Sequence, residues 1–182
     1  NAAAGEVKVE KGDVAGAIAA AKAGDDAVPR LFKSAFRTGY SAHAPIEPHT
    51  ALAEVKDGKA TVWSSTQAPF TQQPAIARAI GFHPEDVRVI TPYVGGGFGG
   101  KVAGQQAVEA ARLAQIAARP VQVAWTRAEE FFYDTFDPAA VVKIASAVDG
   151  EGKITLWDFN VWAAGDRAAE VLYDIPNARV TS

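Results

Sequence analysis

The sequence predicts an α+β fold: a mixed sheet with hairpins and two to four helices. Three observations carry this. Two β-prone runs meet across Lys56-Asp57-Gly58-Lys59, two longer alternating runs meet across Asp149-Gly150-Glu151-Gly152, and apolar residues recur at three-and-four spacing over Gln105–Ala118. Because helical and hairpin signals are interleaved along the chain, the sheet is not expected to be purely parallel.

Taken in order, Gly12-Asp13 followed by Val14, Ala17, Ile18 and Ala21 reads as a short helix with Asp13 accepting from its first free N–H groups, ended by Ala23-Gly24-Asp25-Asp26. Val28 to Ser41, with Phe32, Phe36 and Tyr40 between basic residues, reads as extended. Ala51–Val55 and Ala60–Ser64 flank the Asp-Gly turn as a hairpin. Pro74 to Ile80 suits a short helix stopped by Gly81, and Asp86 to Val94 a strand. After the glycine-rich stretch comes the helix over 105–118, closed by Arg119-Pro120. Val121–Trp125 then reads as a short strand and Ala128–Tyr133 as a helical turn. Ala140–Val148 and Lys153–Ala163 form the second hairpin, with Trp157, Phe159 and Val161 on one face.

Composition narrows the function classes. The 182 residues, against roughly 150 per domain, allow one ordinary domain or one with an appendage. At 48% hydrophobic and 21% charged the chain is globular in composition. Eighteen basic against 21 acidic residues leave a net charge of −3, too balanced for nucleic-acid binding or an anionic membrane surface. No apolar run approaches the ~18 residues of a transmembrane helix. The absence of Cys removes disulfides, thiolate nucleophiles and iron–sulfur ligation, so any such cluster belongs to another chain. The absence of Met, with Asn1 at the start, marks residues 1–182 as a mature piece or a segment of something longer, and Asn1-Ala2-Ala3-Ala4 as a remnant without a part in the fold. Residues 5–35 read as an N-terminal segment with a short helix and 36–182 as the partial domain proper.

Gly95-Gly96-Gly97-Phe98-Gly99-Gly100-Lys101 carries the chemistry. It lies between an expected strand and an expected helix, where main-chain N–H groups can converge on a phosphate or an oxo group. Gly95, Gly97 and Gly100 satisfy G-x-G-x-x-G, but no carboxylate closes the following strand, which runs into Thr126-Arg127. Gly95, Gly100 and Lys101 also fit a phosphate loop, yet Val102 stands where a magnesium-binding hydroxyl belongs. A nucleotide-binding or regulatory α/β domain is therefore the alternative reading of this loop. His43, His49 and His83 form no i, i+4 pair on an expected helix and are read as structural; Glu47, beside Pro48, reads as a buried hydrogen-bond partner or a carboxylate with raised pKa.

Together, G-G-G-F-G-G-K at 95–101, Ser65-Thr66-Gln67 upstream and Trp125-Thr126-Arg127-Ala128-Glu129-Glu130 downstream resemble the large subunit of the molybdenum hydroxylases, the xanthine dehydrogenase/aldehyde oxidase family. Within it, Ala42-His43-Ala44-Pro45-Ile46-Glu47-Pro48 and Arg37-Thr38-Gly39-Tyr40 most resemble the isoquinoline 1-oxidoreductase β-subunit and membrane-bound aldehyde dehydrogenase branch. The likeness runs from about Val7 to Val180 and implies part of a molybdopterin-binding domain. It implies that Gly97, Phe98, Gly99 and Gly100 face the molybdenum cofactor, a molybdopterin in simple or cytosine dinucleotide form. Ser41 takes the place where many relatives carry a Gln that donates to the metal's apical oxygen, and Gln67 is a further pocket-lining candidate beside a role in capping the next helix.

By the same resemblance, the parent oxidises a small aldehyde or heteroaromatic substrate with water as the oxygen source. Electrons leave through [2Fe-2S] clusters on a small partner subunit, with a cytochrome as a further acceptor. The family's catalytic glutamate has no counterpart in 1–182, so no catalytic residue is expected here, and the chain alone is expected to be inactive.

Overall fold

The computed structural model describes residues 5–23 and 30–182. In chain order the elements are β1 (Val7–Lys11), α1 (Val14–Ala23), β2 (Arg30–Thr38), β3 (Ser41–Ala42), β4 (Thr50–Lys56), β5 (Lys59–Ser64), α2 (Pro69–Ile80), β6 (Val87–Ile90), α3 (Gln105–Ala117), β7 (Val121–Ala124), α4 (Arg127–Tyr133), β8 (Phe136–Asp137), β9 (Ala140–Val148), β10 (Ile154–Trp162) and β11 (Asn177–Thr181). Among the described residues, mixed sheets and four α-helices bear out the expected α+β class. The chain divides into two compact units, Asn1–Tyr40 with Pro138–Ser182, and Ser41–Asp137.

The first unit is a five-stranded sheet in the order β1-β11-β10-β9-β2. The β9–β10 hairpin falls where its alternation placed it, and β2 runs antiparallel to β9 from Arg30↔Val148 to Thr38↔Ala140. Strands β10 and β11 are parallel, and β1 closes the far edge against β11. Helix α1 covers one face, Val14 packing with Ala147 and Leu156. Its cap is the expected one: Gly16 N–H donates to Asp13 Oδ1 at 2.8 Å. The expected end of this helix at residues 24–26, and the remnant at 1–4, lie outside the described residues.

The second unit holds a four-stranded sheet in the order β6-β5-β4-β7, with β5 and β6 parallel and the other pairs antiparallel. Helices α2 and α3 pack on this sheet and on each other. The seam is made of small residues: Ala107, Ala110, Ala111 and Ala114 of α3, at helical spacing, share a core with Ala51, Ala53 and Ala60 of the sheet, filled out by Val62, Ile76, Ile80 and Val87. Alanine on both sides lets helix and strands approach closely, so the ends of β5, β6 and α3 are held by backbone-scale packing.

Two boundaries differ from expectation. Helix α2 begins at Pro69, not Pro74, because Pro69 occupies a first-turn position where its missing N–H costs nothing, while burial of Gln72, Ile76, Ala77 and Ile80 offsets the bond lost at Pro74. It ends as expected, at Gly81 with φ 74°. Strand β6 stops at Ile90, not Val94: β5, its one partner among the described residues, reaches it last through Trp63↔Ile90, and the chain leaves the sheet there. Strands β1, β8 and β11 lie outside the expected elements, and β3 meets the segment expected to be extended over 28–41 only at Ser41.

Candidate functional site

The chain from Thr91 to Val102 leaves β6, makes the glycine-rich bend and enters a 3₁₀ turn over Gly100–Val102 before α3 begins. The bend therefore does not run into a helix N-terminus; Gly104, with φ 77°, starts α3. What shapes the bend is a set of side chains from other segments. Gly95 N–H donates to Glu47 Oε2 at 2.7 Å, and Glu47 N–H returns a 3.3 Å bond to the Gly95 carbonyl. Gly99 N–H donates to Gln67 Oε1 at 3.1 Å, and Gly100 N–H to the Gly97 carbonyl at 2.9 Å. The Lys101 carbonyl accepts from Gln67 N–H at 3.2 Å and from the Thr66 hydroxyl at 2.9 Å.

Two of these glycines meet distinct constraints. A Cβ on Gly97 would stand 2.7 Å from Gln67 Oε1, and Gly99 adopts φ 115°, which side chains rarely reach. Between them Phe98 is itself left-handed, at φ 54°, and the residue is 75% exposed. Among the described residues, the N–H groups of Gly96, Gly97 and Phe98 have no acceptor. Those of Gly99 and Gly100 are satisfied within the unit, so the open donors of the bend narrow to Gly96, Gly97 and Phe98.

Glu47 is the main electrostatic feature. Its Oε2 accepts from Lys101 Nζ at 2.7 Å and the Ser65 hydroxyl at 2.9 Å, besides Gly95. Burial alone would raise this carboxyl, but those donors and the Lys101 charge hold it below the usual carboxylate range. Of the two roles open to Glu47, hydrogen-bond partner is the one found; the raised pKa is not. Lys101 is wholly buried and turned to Glu47, which removes the premise of a phosphate loop, a lysine reaching out to a bound ligand.

Behind the bend, α4 opens with a capping box between Thr126 and Glu129 and carries Glu130 inward. His49 Nδ1 lies 2.8 Å from Glu130 Oε1 and its Nε2 3.3 Å from the Gly100 carbonyl; His43 Nδ1 lies 3.3 Å from Asp134 Oδ2. Arg127 bonds Glu130 and the carbonyls of Pro45 and Ile46. His49, Glu130 and Asp134 bring potential metal-ligating atoms within 4.8 Å of one another. They are already engaged with each other, and the cavity beside them, about 10 Å³, is at the lower limit for a single water. The geometry is that of an internal hydrogen-bond network supporting the bend.

Ser41 and Gln67, the other candidates, both precede the motif in sequence and have different surroundings. Ser41 is exposed in β3, opposite Asp137 of β8, and its hydroxyl has no partner among the described residues. Gln67 does not cap α2, whose N-cap is Ala68 without a side-chain bond; Thr66 accepts from Ala68 N–H instead. Gln67 Oε1 holds Gly99, leaving its amide Nε2 without a partner among the described residues. Sequence reasoning had not singled out Lys101 as the partner of Glu47, nor the Glu130–His49–Gly100 chain. The polar side chains Gln72 and Gln106, buried among apolar spacing on α2 and α3, are the one local signal that something polar had to be met there.

The model of the family described as "Molybdopterin cofactor-binding domain" matches residues 1–182. The chain is similar to the molybdenum-binding subunit of an aldehyde oxidoreductase from Escherichia coli O157:H7, 33% identical over 153 residues that cover 84% of this chain and 20% of the relative. It is also similar to the isoquinoline 1-oxidoreductase subunit beta of Brevundimonas diminuta, 32% identical over 106 residues, 58% of this chain and 14% of that one. Among solved structures, an aldehyde oxidoreductase from Desulfovibrio gigas superposes with a TM-score of 0.79 at 22% identity, over 95% of this chain and 20% of the other. A CO dehydrogenase from Oligotropha carboxidovorans does so with a TM-score of 0.73 at 24% identity, over 95% and 23%. At such identities the likeness is one of fold. The chain spans about a fifth or less of the length of these curated relatives.

Proposed function

We propose, since the chain belongs to the molybdopterin cofactor-binding domain family, that its Ser41–Asp137 unit supplies one wall of a molybdopterin pocket in a larger oxidoreductase. The observation that supports this is the bend at 95–101. Its outer N–H groups are tied to Glu47 and Gln67, while those of Gly97 and Phe98 are left without an acceptor. Fixed, unpaired amides suit an oxygen-bearing anionic group, because they stabilise charge without reorganising.

Gly97 and Phe98 would hold the cofactor through these amides. Gln67 Nε2 and the Ser41 hydroxyl are further donors, the serine reaching less far than an amide side chain and calling for a bridging water. Gly99 and Gly100 contribute shape. Glu47, Lys101, His49 and Glu130 touch no ligand in this reading. When bound, the group supplies the redox chemistry that oxidises an aldehyde or N-heterocycle carbon with oxygen drawn from water. This chain's residues bind and orient it. The reading extends to a [2Fe-2S] partner subunit with a cytochrome beyond it, and to the cytosine dinucleotide form of the pterin as one option; relatives named as subunits support a partner subunit of some kind.

Metal and pterin analysis of the full-length protein tests it. Stoichiometric molybdenum and pterin are expected, with pterin lost on Gly97→Ala. A protein that contains neither, or a Gly97→Ala form that keeps both unchanged, rejects it.

A further inference from the structure

One oxygen atom closes the bend. Glu47 Oε2 receives Gly95 N–H at the entry, Lys101 Nζ at the exit, both at 2.7 Å, and the Ser65 hydroxyl from just past β5 at 2.9 Å. Two of the donors are the ends of the 95–101 bend and the third comes from 30 residues before it, and Lys101 is completely buried. A buried ammonium is an expensive way to fill space: an apolar side chain of similar volume packs as well or better without the desolvation cost. What an ion pair gives that an apolar contact does not is a fixed direction and separation, here between the two ends of a seven-residue stretch. Inside that stretch lie the amides of Gly97 and Phe98 that nothing else in the described chain engages.

We propose that Glu47 and Lys101 are positioning residues: by drawing the entry and exit of the 95–101 bend onto one carboxylate oxygen, they hold the Gly97 and Phe98 amides in the array that receives the cofactor. The inference rests on the reading of the site given above. Neither residue touches the cofactor. Their effect is carried through the geometry of the bend, which the pair sets and Ser65 reinforces.

The test uses the full-length protein with Glu47→Gln, Lys101→Met and the double variant. Each single change strands a partner, so both are expected to fold poorly; the double change removes both charges and is expected to restore the thermal midpoint to near that of wild type. The readouts are pterin and molybdenum retained per subunit after gel filtration, and the electron paramagnetic resonance spectrum of reduced molybdenum. The folded double variant is expected to lose pterin about 10-fold faster, the scale at which groups supporting a bound metal act, with an altered spectrum. Unchanged retention and an unchanged spectrum in that variant overturn the proposal. Should the double variant fail to fold, Ser65→Ala decides it: pterin loss about threefold faster supports positioning, as expected for one hydrogen bond, and no change overturns it. A wild-type protein without molybdopterin overturns the reading of the site, and this inference with it; a loaded wild type with an indifferent variant overturns the positioning role alone.

Discussion

Lys101 and Glu47, 54 positions apart in the chain, meet at 2.7 Å with the lysine entirely out of solvent. A lysine at the end of a glycine run invites a phosphate-loop reading from sequence, and the fold instead turns it inward as part of the scaffold.

The first consequence is a pH dependence. The folded Glu47 carboxyl lies below its ordinary value. A depressed carboxylate stabilises the fold above the unfolded pKa, about 4.3, and that contribution is lost as pH falls through the lower folded value. The gap in thermal midpoint between wild type and Glu47→Gln should be constant through neutral pH and shrink below about pH 4, as the unfolded carboxyl takes up its proton first and the native one follows only at lower pH. Thermal melts of both across pH 3 to 8, a range of about five units, check it; a gap that widens on acidification contradicts it.

Two neighbouring glycines should fail differently. In Gly97→Ala the new methyl meets the far end of the Gln67 side chain, which can swing away, so stability should change little while Gly99 N–H loses its acceptor and cofactor content falls. In Gly99→Ala the backbone at φ 115° is itself strained, and the cost should be about 1–3 kcal/mol. Urea midpoints beside pterin content separate the two; equal stability losses would be the wrong result.

Ile76, fully buried in the core between α2 and the sheet, should cost about 2–5 kcal/mol when cut to Ala. Chemical denaturation measures it, and a loss near zero would mean that this core is not formed as described.

Nucleotides should not bind. With the Lys101 ammonium buried against Glu47 and no helix N-terminus at the end of the bend, titration of the full-length protein with ATP or NAD should show no saturable binding in the micromolar range. Saturation there would restore the nucleotide reading.

How much of this could be read from the chain depends on the range of the forces involved. The two hairpins and α3 were legible because their signals are local: an Asp-Gly turn between alternating runs, and Ala107, Val108, Ala111, Leu113, Ala114 and Ala117 at three-and-four spacing. Strands β1 and β11 were not, since each is five residues with a charged residue between apolar ones and is settled by long-range pairing, β1 with β11 through Val9 and Val180, and β11 also with β10. The glycine run marked the place of the site, while its supports escaped notice. Glu47, Gln67 and Glu130 are ordinary polar residues until folding sets them against Lys101, Gly99 and His49.

The alanine seam between α3 and its sheet limits how this domain can diversify. With methyl groups meeting on both sides there is no spare volume to redistribute, and any enlargement would lever α3 outward and drag the bend that feeds it. Innovation is thereby channelled to side chains that project freely, such as Ile46, Tyr93 and Phe98. A lineage could retune what approaches the bend while leaving its mount untouched.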